Sequence, residues 1–171
     1  MPLLVLIGPP GSGKSTVGKA LAKFLAVSFI DTDSSVERTS GRKIADIFVD
    51  QGEEFFRVLE YQALTKALEN EKAVVSLGGG APIPERAQLL LQEIESPIVF
   101  LDISLSAAAP RVGFKRDRPL LLGNPRAQWQ ALYEVRRPIY EKLATTVVKV
   151  DSLTTDQVIQ EILRGAGIEK H

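Results

Sequence analysis

Leu3-Leu4-Val5-Leu6-Ile7 runs directly into Gly8-Pro9-Pro10-Gly11-Ser12-Gly13-Lys14-Ser15, and Ser15 to Leu25 carries Val17, Leu21 and Leu25 at helical spacing. The apolar run reads as a buried strand and the last segment as a helix. The middle fits G-x-x-x-x-G-K-[ST], a loop whose glycines let backbone N–H groups turn inward around phosphate oxygens. A helix N-terminus directly after the loop adds positive potential. In this order Lys14 is expected to reach the β- and γ-phosphates of a nucleotide, and the Ser15 hydroxyl to bind Mg²⁺. The competing reading is a Gly-rich turn beside a chance lysine. The strand before it and the helix after it argue against that.

Four further apolar runs read as strands: residues 27–30, 73–77, 97–102 and 146–150. The four longer of the five are apolar almost throughout, as in a parallel sheet covered on both faces. Helical patterns lie between them at residues 53–69, 85–94, 126–143 and 155–164, and Thr154 with Gln157 resembles a capping box. Strands alternating with helices imply an α/β sandwich with right-handed crossovers. The 171 residues suffice for one domain with a full core, and no repeat or linker divides them. Lys plus Arg equal Asp plus Glu at 21 each, so net charge supports neither nucleic-acid nor membrane binding. There is no cysteine, and the single histidine is His171. Thiolate chemistry is therefore excluded, a histidine base or metal site is disfavoured, and a cytoplasmic setting is expected. No run is long enough to span a membrane, and the N-terminal run is too short for a signal peptide.

Other segments carry candidate chemistry. Asp31 and Asp33 follow the second strand, at the end where open α/β sheets bind ligands. One carboxylate is expected to help hold Mg²⁺, usually through water, and the other to orient a substrate hydroxyl. Either could instead cap the next helix. Ser76-Leu77-Gly78-Gly79-Gly80 ends the third strand, which has no acidic residue to hold the metal; Ser76 is a candidate to act through water there. Three glycines in a row suggest a close backbone approach to a ligand, or a flexible turn. Arg57 and Glu60 share a helix face, as a simple ion pair or with Glu60 holding Arg57 for a substrate carboxylate. Arg136 and Arg137 precede Pro138, which is expected to bend or end the helix. Residues 33–60 form an insert with two helical patterns. Residues 111–125 read as an irregular basic loop carrying Arg111, Lys115, Arg116 and Arg118.

Together these residues resemble the shikimate kinase family, whose fold is that of the nucleoside-monophosphate kinases. The resemblance rests on the P-loop through Thr16, Asp31-Thr32-Asp33, Ile47-Phe48 with Gly52-Glu53, Phe56-Arg57 with Glu60, Gly78-Gly79-Gly80, Arg118-Pro119-Leu120-Leu121, and Arg136 with Pro138 and Tyr140. It covers most of the chain.

The resemblance implies a three-layer α/β/α sandwich with a five-stranded parallel sheet in the order 2-3-1-4-5. It also implies an acceptor-binding insert at 33–60 and a lid at 111–125. The implied reaction is Mg²⁺-dependent transfer of the ATP γ-phosphoryl group to the 3-hydroxyl of shikimate, in aromatic amino acid biosynthesis, by a monomer with no macromolecular partner. Lys14, Asp33 and Arg118 are the implied catalytic residues. Gly11, Ser12, Gly13, Lys14, Ser15, Thr16, Arg111 and Arg118 would bind ATP. Asp33, Arg57, Gly79, Gly80 and Arg136 would bind shikimate, with Glu60 supporting Arg57, and Ser15 and Asp31 would stand around the metal. Pro110 departs from the family pattern and is expected to shift the 106–112 helix or Arg111. Asp151 to Thr155 falls where the family's adenine-side loop lies. A gluconate or nucleoside-monophosphate kinase of the same fold is the nearest alternative, and a non-enzymatic nucleotide switch the next. A switch has no use for Asp33, Arg57 and Arg136.

Overall fold

The computed structural model describes residues 1–112 and 124–169. The elements run β1 (Leu4–Ile7), α1 (Lys14–Leu25), β2 (Ser28–Asp31), α2 (Thr32–Ser40), α3 (Ile44–Leu68), β3 (Ala73–Ser76), α4 (Glu85–Glu93), β4 (Ile98–Asp102), α5 (Leu105–Val112), α6 (Pro125–Leu143), β5 (Thr146–Lys149) and α7 (Thr155–Ala166). All strand pairs are parallel, in the expected order β2-β3-β1-β4-β5. Every residue of β1, β3 and β4 is buried. Each such Val, Leu or Ile contributes roughly 1.5–3 kcal/mol of burial. Phe100 on β4 packs against Tyr140 of α6, ring centroids 5.2 Å apart.

The order of the strands locates the ligand cleft. From β1 the chain crosses over β3 to reach β2; from β3 it crosses β1 to reach β4. Right-handed crossovers in opposite directions put α1 on one face of the sheet and α4 on the other. The carboxyl ends of β1 and β3 therefore open onto a crevice at a topological switch point. The loops leaving those ends are the Gly8–Ser15 loop and the Gly78–Gly80 loop.

Two expectations change, for β5 and the basic segment, and two others are narrowed. The fifth strand is not covered on both faces: β5 is an edge strand paired only to β4, and Val147 is 48% exposed. The helix expected at 53–69 runs from the kink at Gly52 to Leu68, and a further helical segment from Ile44 joins it there; Gly52 itself, with φ of 84° and ψ of 172°, is non-helical. A positive φ is the region where glycine costs least, which accounts for that residue at the kink. Of the two effects expected of Pro138, ending the helix does not occur: α6 continues to Leu143, as the 126–143 pattern indicates. A proline removes one i→i−4 bond, and α6 offsets that by burying Arg136, Tyr140 and Leu143 around it. The ends of the segment expected as a basic loop belong to helices: Arg111 and Val112 end α5, and Asn124 caps α6 by accepting from Ala127 N–H.

Candidate active site

Gly13 starts the site. Its φ of 94° lets the chain turn into α1, and no side chain caps that helix. The first N–H groups of α1 are thus aimed into a cavity of about 520 Å³. The cavity is lined by residues 10–17 of the loop and α1, by Asp31 and Asp33, and by Ser76 to Gly79. Its other wall is Arg111, Val150, Leu153, Thr155 and Val158. Lys14 is buried, and its Nζ donates to the carbonyls of Gly8 at 2.8 Å and Pro9 at 3.0 Å. The ammonium is thereby held at the loop that encloses it.

Asp31 caps the next helix, one of the two uses the sequence left open, and also bonds Ser15. Its Oδ1 caps α2 by accepting from Asp33 N–H at 2.9 Å and Ser34 N–H at 3.3 Å. Its Oδ2 accepts from the Ser15 hydroxyl at 2.6 Å. Among the described residues no group of three or more His, Cys, Asp or Glu could hold a metal ion. One hydroxyl beside one carboxylate instead suits Mg²⁺, which takes most of its ligands from phosphates and water. Ser76 is buried at the end of β3, in register with Asp31.

The three glycines meet a further need beside the ligand approach expected of them. None of them has a positive φ. What they supply is room for side chains. A methyl group on Gly78 would overlap the Asp33 carboxylate, and one on Gly80 would overlap the Arg57 guanidinium. One on Gly79 would lie 3.2 Å from Pro10 Cδ and 3.4 Å from Arg136 Nη1. Asp33, Arg57 and Arg136, from α2, α3 and α6, thus all pack against this one loop, and of the three only Asp33 lines the cavity. Thr32 fixes the loop from below: it is fully buried and its Oγ1 accepts from Gly78 N–H at 3.0 Å.

Arg57 Nη1 donates to Glu60 Oε1 at 2.6 Å, and Nη2 to Glu53 Oε1 at 3.2 Å. Burial works against the Arg57 charge, but these carboxylates outweigh it and its pKa is raised. Glu60 is 3% exposed. Burial pushes its pKa up, against the attraction of Arg57. The adjacent arginines divide. Arg136 is buried at Gly79, whereas Arg137 is exposed and bonds Asp102 Oδ2 at 2.7 Å and Glu141 Oε1 at 2.8 Å.

Pro110 lies within α5 without ending it. Arg111 Nη1 donates to the Gly11 carbonyl at 3.3 Å, at the cavity wall shared with Leu153 and Thr155. The expected adenine-side residues therefore stand beside the P-loop. Lys115, Arg116 and Arg118 lie outside the described residues.

Sequence reasoning missed Thr32, Trp129 and Tyr133, and assigned Tyr140 no contact. Burial pushes the Tyr140 pKa up to about 12, so its hydroxyl keeps its proton and donates to the Gly79 carbonyl at 2.6 Å. The signal was present in the spacing 129, 133, 136 and 140, one face of a helix.

Comparison with known proteins agrees with this geometry. The family model described as shikimate kinase matches residues 10–166. A shikimate kinase of Thermobifida fusca (strain YX) is 46% identical over 163 residues, covering 95% of this chain and 94% of that protein. The structure of a shikimate kinase from Acinetobacter baumannii in complex with shikimate superposes with a TM-score of 0.90 at 31% identity, covering 94% of this chain and 90% of that one. A gluconokinase from Sinorhizobium meliloti 1021 is similar in fold only, with a TM-score of 0.61 at 21% identity over 96% of this chain and 90% of the other. On the family match over residues 10–166 and the 46% identity, the chain belongs to the shikimate kinase family.

Proposed function

We propose that this enzyme transfers the γ-phosphoryl group of ATP to the 3-hydroxyl of shikimate, giving shikimate 3-phosphate and ADP, in the cytoplasm. The observation that carries the reading is the meeting of Asp33, Arg57 and Arg136 at the Gly78–Gly80 loop, beside the P-loop. Two guanidiniums and one carboxylate match an acceptor with one carboxylate and neighbouring hydroxyls.

In this reading the N–H groups of the P-loop and α1 hold the phosphate chain, and Arg111 lies against the adenine. Lys14 exchanges its loop carbonyls for phosphate oxygens and stabilises charge on the group in transfer. Arg57, held by Glu60, and Arg136 bind the acceptor carboxylate, with Gly79 and Gly80 alongside. Asp33 accepts a hydrogen bond from the acceptor hydroxyl and aligns its oxygen on the γ-phosphorus. A loose transition state needs this alignment more than it needs a strong base. Ser15 and Asp31 would hold Mg²⁺, which when bound would neutralise charge on the phosphates. Arg118 and the lid are proposed from the sequence motif alone.

A coupled assay of ADP release with shikimate and gluconate side by side tests the proposal. ADP release is expected to rise with shikimate and not with gluconate. Stimulation by gluconate instead would reassign the acceptor, and release that no acceptor stimulates would end the kinase reading.

A further inference from the structure

One face of α6 touches both halves of the site. Trp129, Tyr133, Arg136 and Tyr140 lie on it and all are buried. Trp129 Nε1 donates to the Pro10 carbonyl of the P-loop at 3.0 Å. Tyr140 donates to the Gly79 carbonyl at 2.6 Å. The two loops also meet directly, since even a methyl group on Gly79 would lie 3.2 Å from Pro10 Cδ, closer than ordinary contact. The path from α6 to the P-loop, to the Gly78–Gly80 loop and back to α6 is therefore closed. It is anchored midway: the Tyr133 ring stacks on Trp129 at 5.0 Å and 11°, and its hydroxyl donates to Asp102 at the end of β4. Arg137 holds the other oxygen of that carboxylate.

Trp129 and Tyr140 are eleven residues apart on a rigid helix, a separation of roughly 16 Å along its axis. That span is fixed, so each hydrogen bond sets one loop at a set height against the other. We propose that Trp129 is a positioning residue, which through α6 keeps the phosphate-donor loop in register with the acceptor loop. The inference rests on the assignment of donor and acceptor sides given above. Transfer between two bound reactants is sensitive to such register, with losses of up to about 100-fold for a displacement of about 1 Å. No sequence motif of the P-loop contains this residue. Its role comes from a bond spanning 119 positions.

Trp129→Phe keeps an aromatic ring on Tyr133 and removes the single N–H. The expected result is a fall in kcat of roughly tenfold, with shikimate KM within about twofold of wild type. ADP binding, measured by calorimetry, is expected to weaken by roughly threefold or more. A residue that only fills the core would lower the melting temperature and leave kcat and ADP affinity unchanged; that result would overturn the proposal. Trp129 is the sole tryptophan, so the wild-type protein offers a second reading if the variant does not fold. Its emission is expected to change on titration with ADP, and an unchanged spectrum at saturation would contradict the proposal. ADP binding needs no acceptor. If ADP moves the tryptophan but shikimate is not phosphorylated, the acceptor assignment has failed and the Trp129 contact has not.

Discussion

Gly78 and Gly80 act by the side chains they admit, and this makes them sharper probes than the arginine and aspartate themselves. Arg57→Ala would leave Glu60 buried without its cation, a change that costs roughly 3–5 kcal/mol and confuses binding with folding. A methyl group at position 80 meets only the far end of Arg57, which is able to swing away. Gly80→Ala is therefore expected to raise shikimate KM about tenfold or more with ATP KM little changed, and to lower the melting temperature less than Arg57→Ala, because the displaced guanidinium stays beside Glu53 and Glu60. Gly78→Ala pushes on the Asp33 carboxylate and is expected to lower kcat with a smaller effect on shikimate KM. Steady-state kinetics of the two variants check this split; the same pattern from both would refute it. Glu60 supplies a pH test. Its folded-state pKa lies above the ordinary 4.5, because burial disfavours its charge. The stability linked to its proton is fully present below that ordinary value and is lost as pH rises through the raised one. Urea unfolding of wild type and Glu60→Gln across this window is expected to show wild type losing ground as pH rises. A difference independent of pH would count against the buried, ionising Glu60. At this scale the residue types were legible, since the P-loop, Asp31-Thr32-Asp33 and the glycines are local patterns. Their partners were not. Nothing local to Gly80 says that Arg57, 23 positions earlier, fills the space its missing side chain leaves.

Strands and helices were legible where one signal dominated. β1, β3 and β4 are unbroken apolar runs, and each is buried throughout. The Thr154–Gln157 capping box forms as its spacing suggests. Readings changed or narrowed where position in the sheet or packing outweighed the local pattern. β5 has the composition of a covered strand, but its place at the edge leaves Val147 half exposed. Pro138 signals a bend or a helix end, and the buried face of α6 carries the helix through it. The two strands give a direct comparison. Leu6→Ala in β1 is expected to cost roughly 2–5 kcal/mol in urea unfolding, and Val147→Ala in β5 no more than about 0.5 kcal/mol. Equal losses would contradict the edge placement of β5.

The whole molecule places donor and acceptor loops on neighbouring strands whose connections leave toward opposite faces. That arrangement follows from the strand order, which the alternation of elements implied only as a class and the family resemblance supplied in detail. Asp33 arrives from β2 through α2, Arg57 from α3 and Arg136 from α6. No single segment holds the acceptor side, which is why it was legible only as a set of spaced motifs. The tie of Trp129 to Pro10 was not legible at all, because it depends on α6 packing across the end of the sheet. Among the described residues no helix is long and apolar enough to cross a membrane. The central claim is that this assembly transfers a phosphoryl group to one particular hydroxyl. Phosphorus NMR of the product formed from ATP and shikimate tests it most directly. The expected product is a phosphomonoester whose phosphorus couples to the ring proton at C3; a signal coupled to C4 or C5, or inorganic phosphate as the only product beside ADP, would refute this regiochemistry.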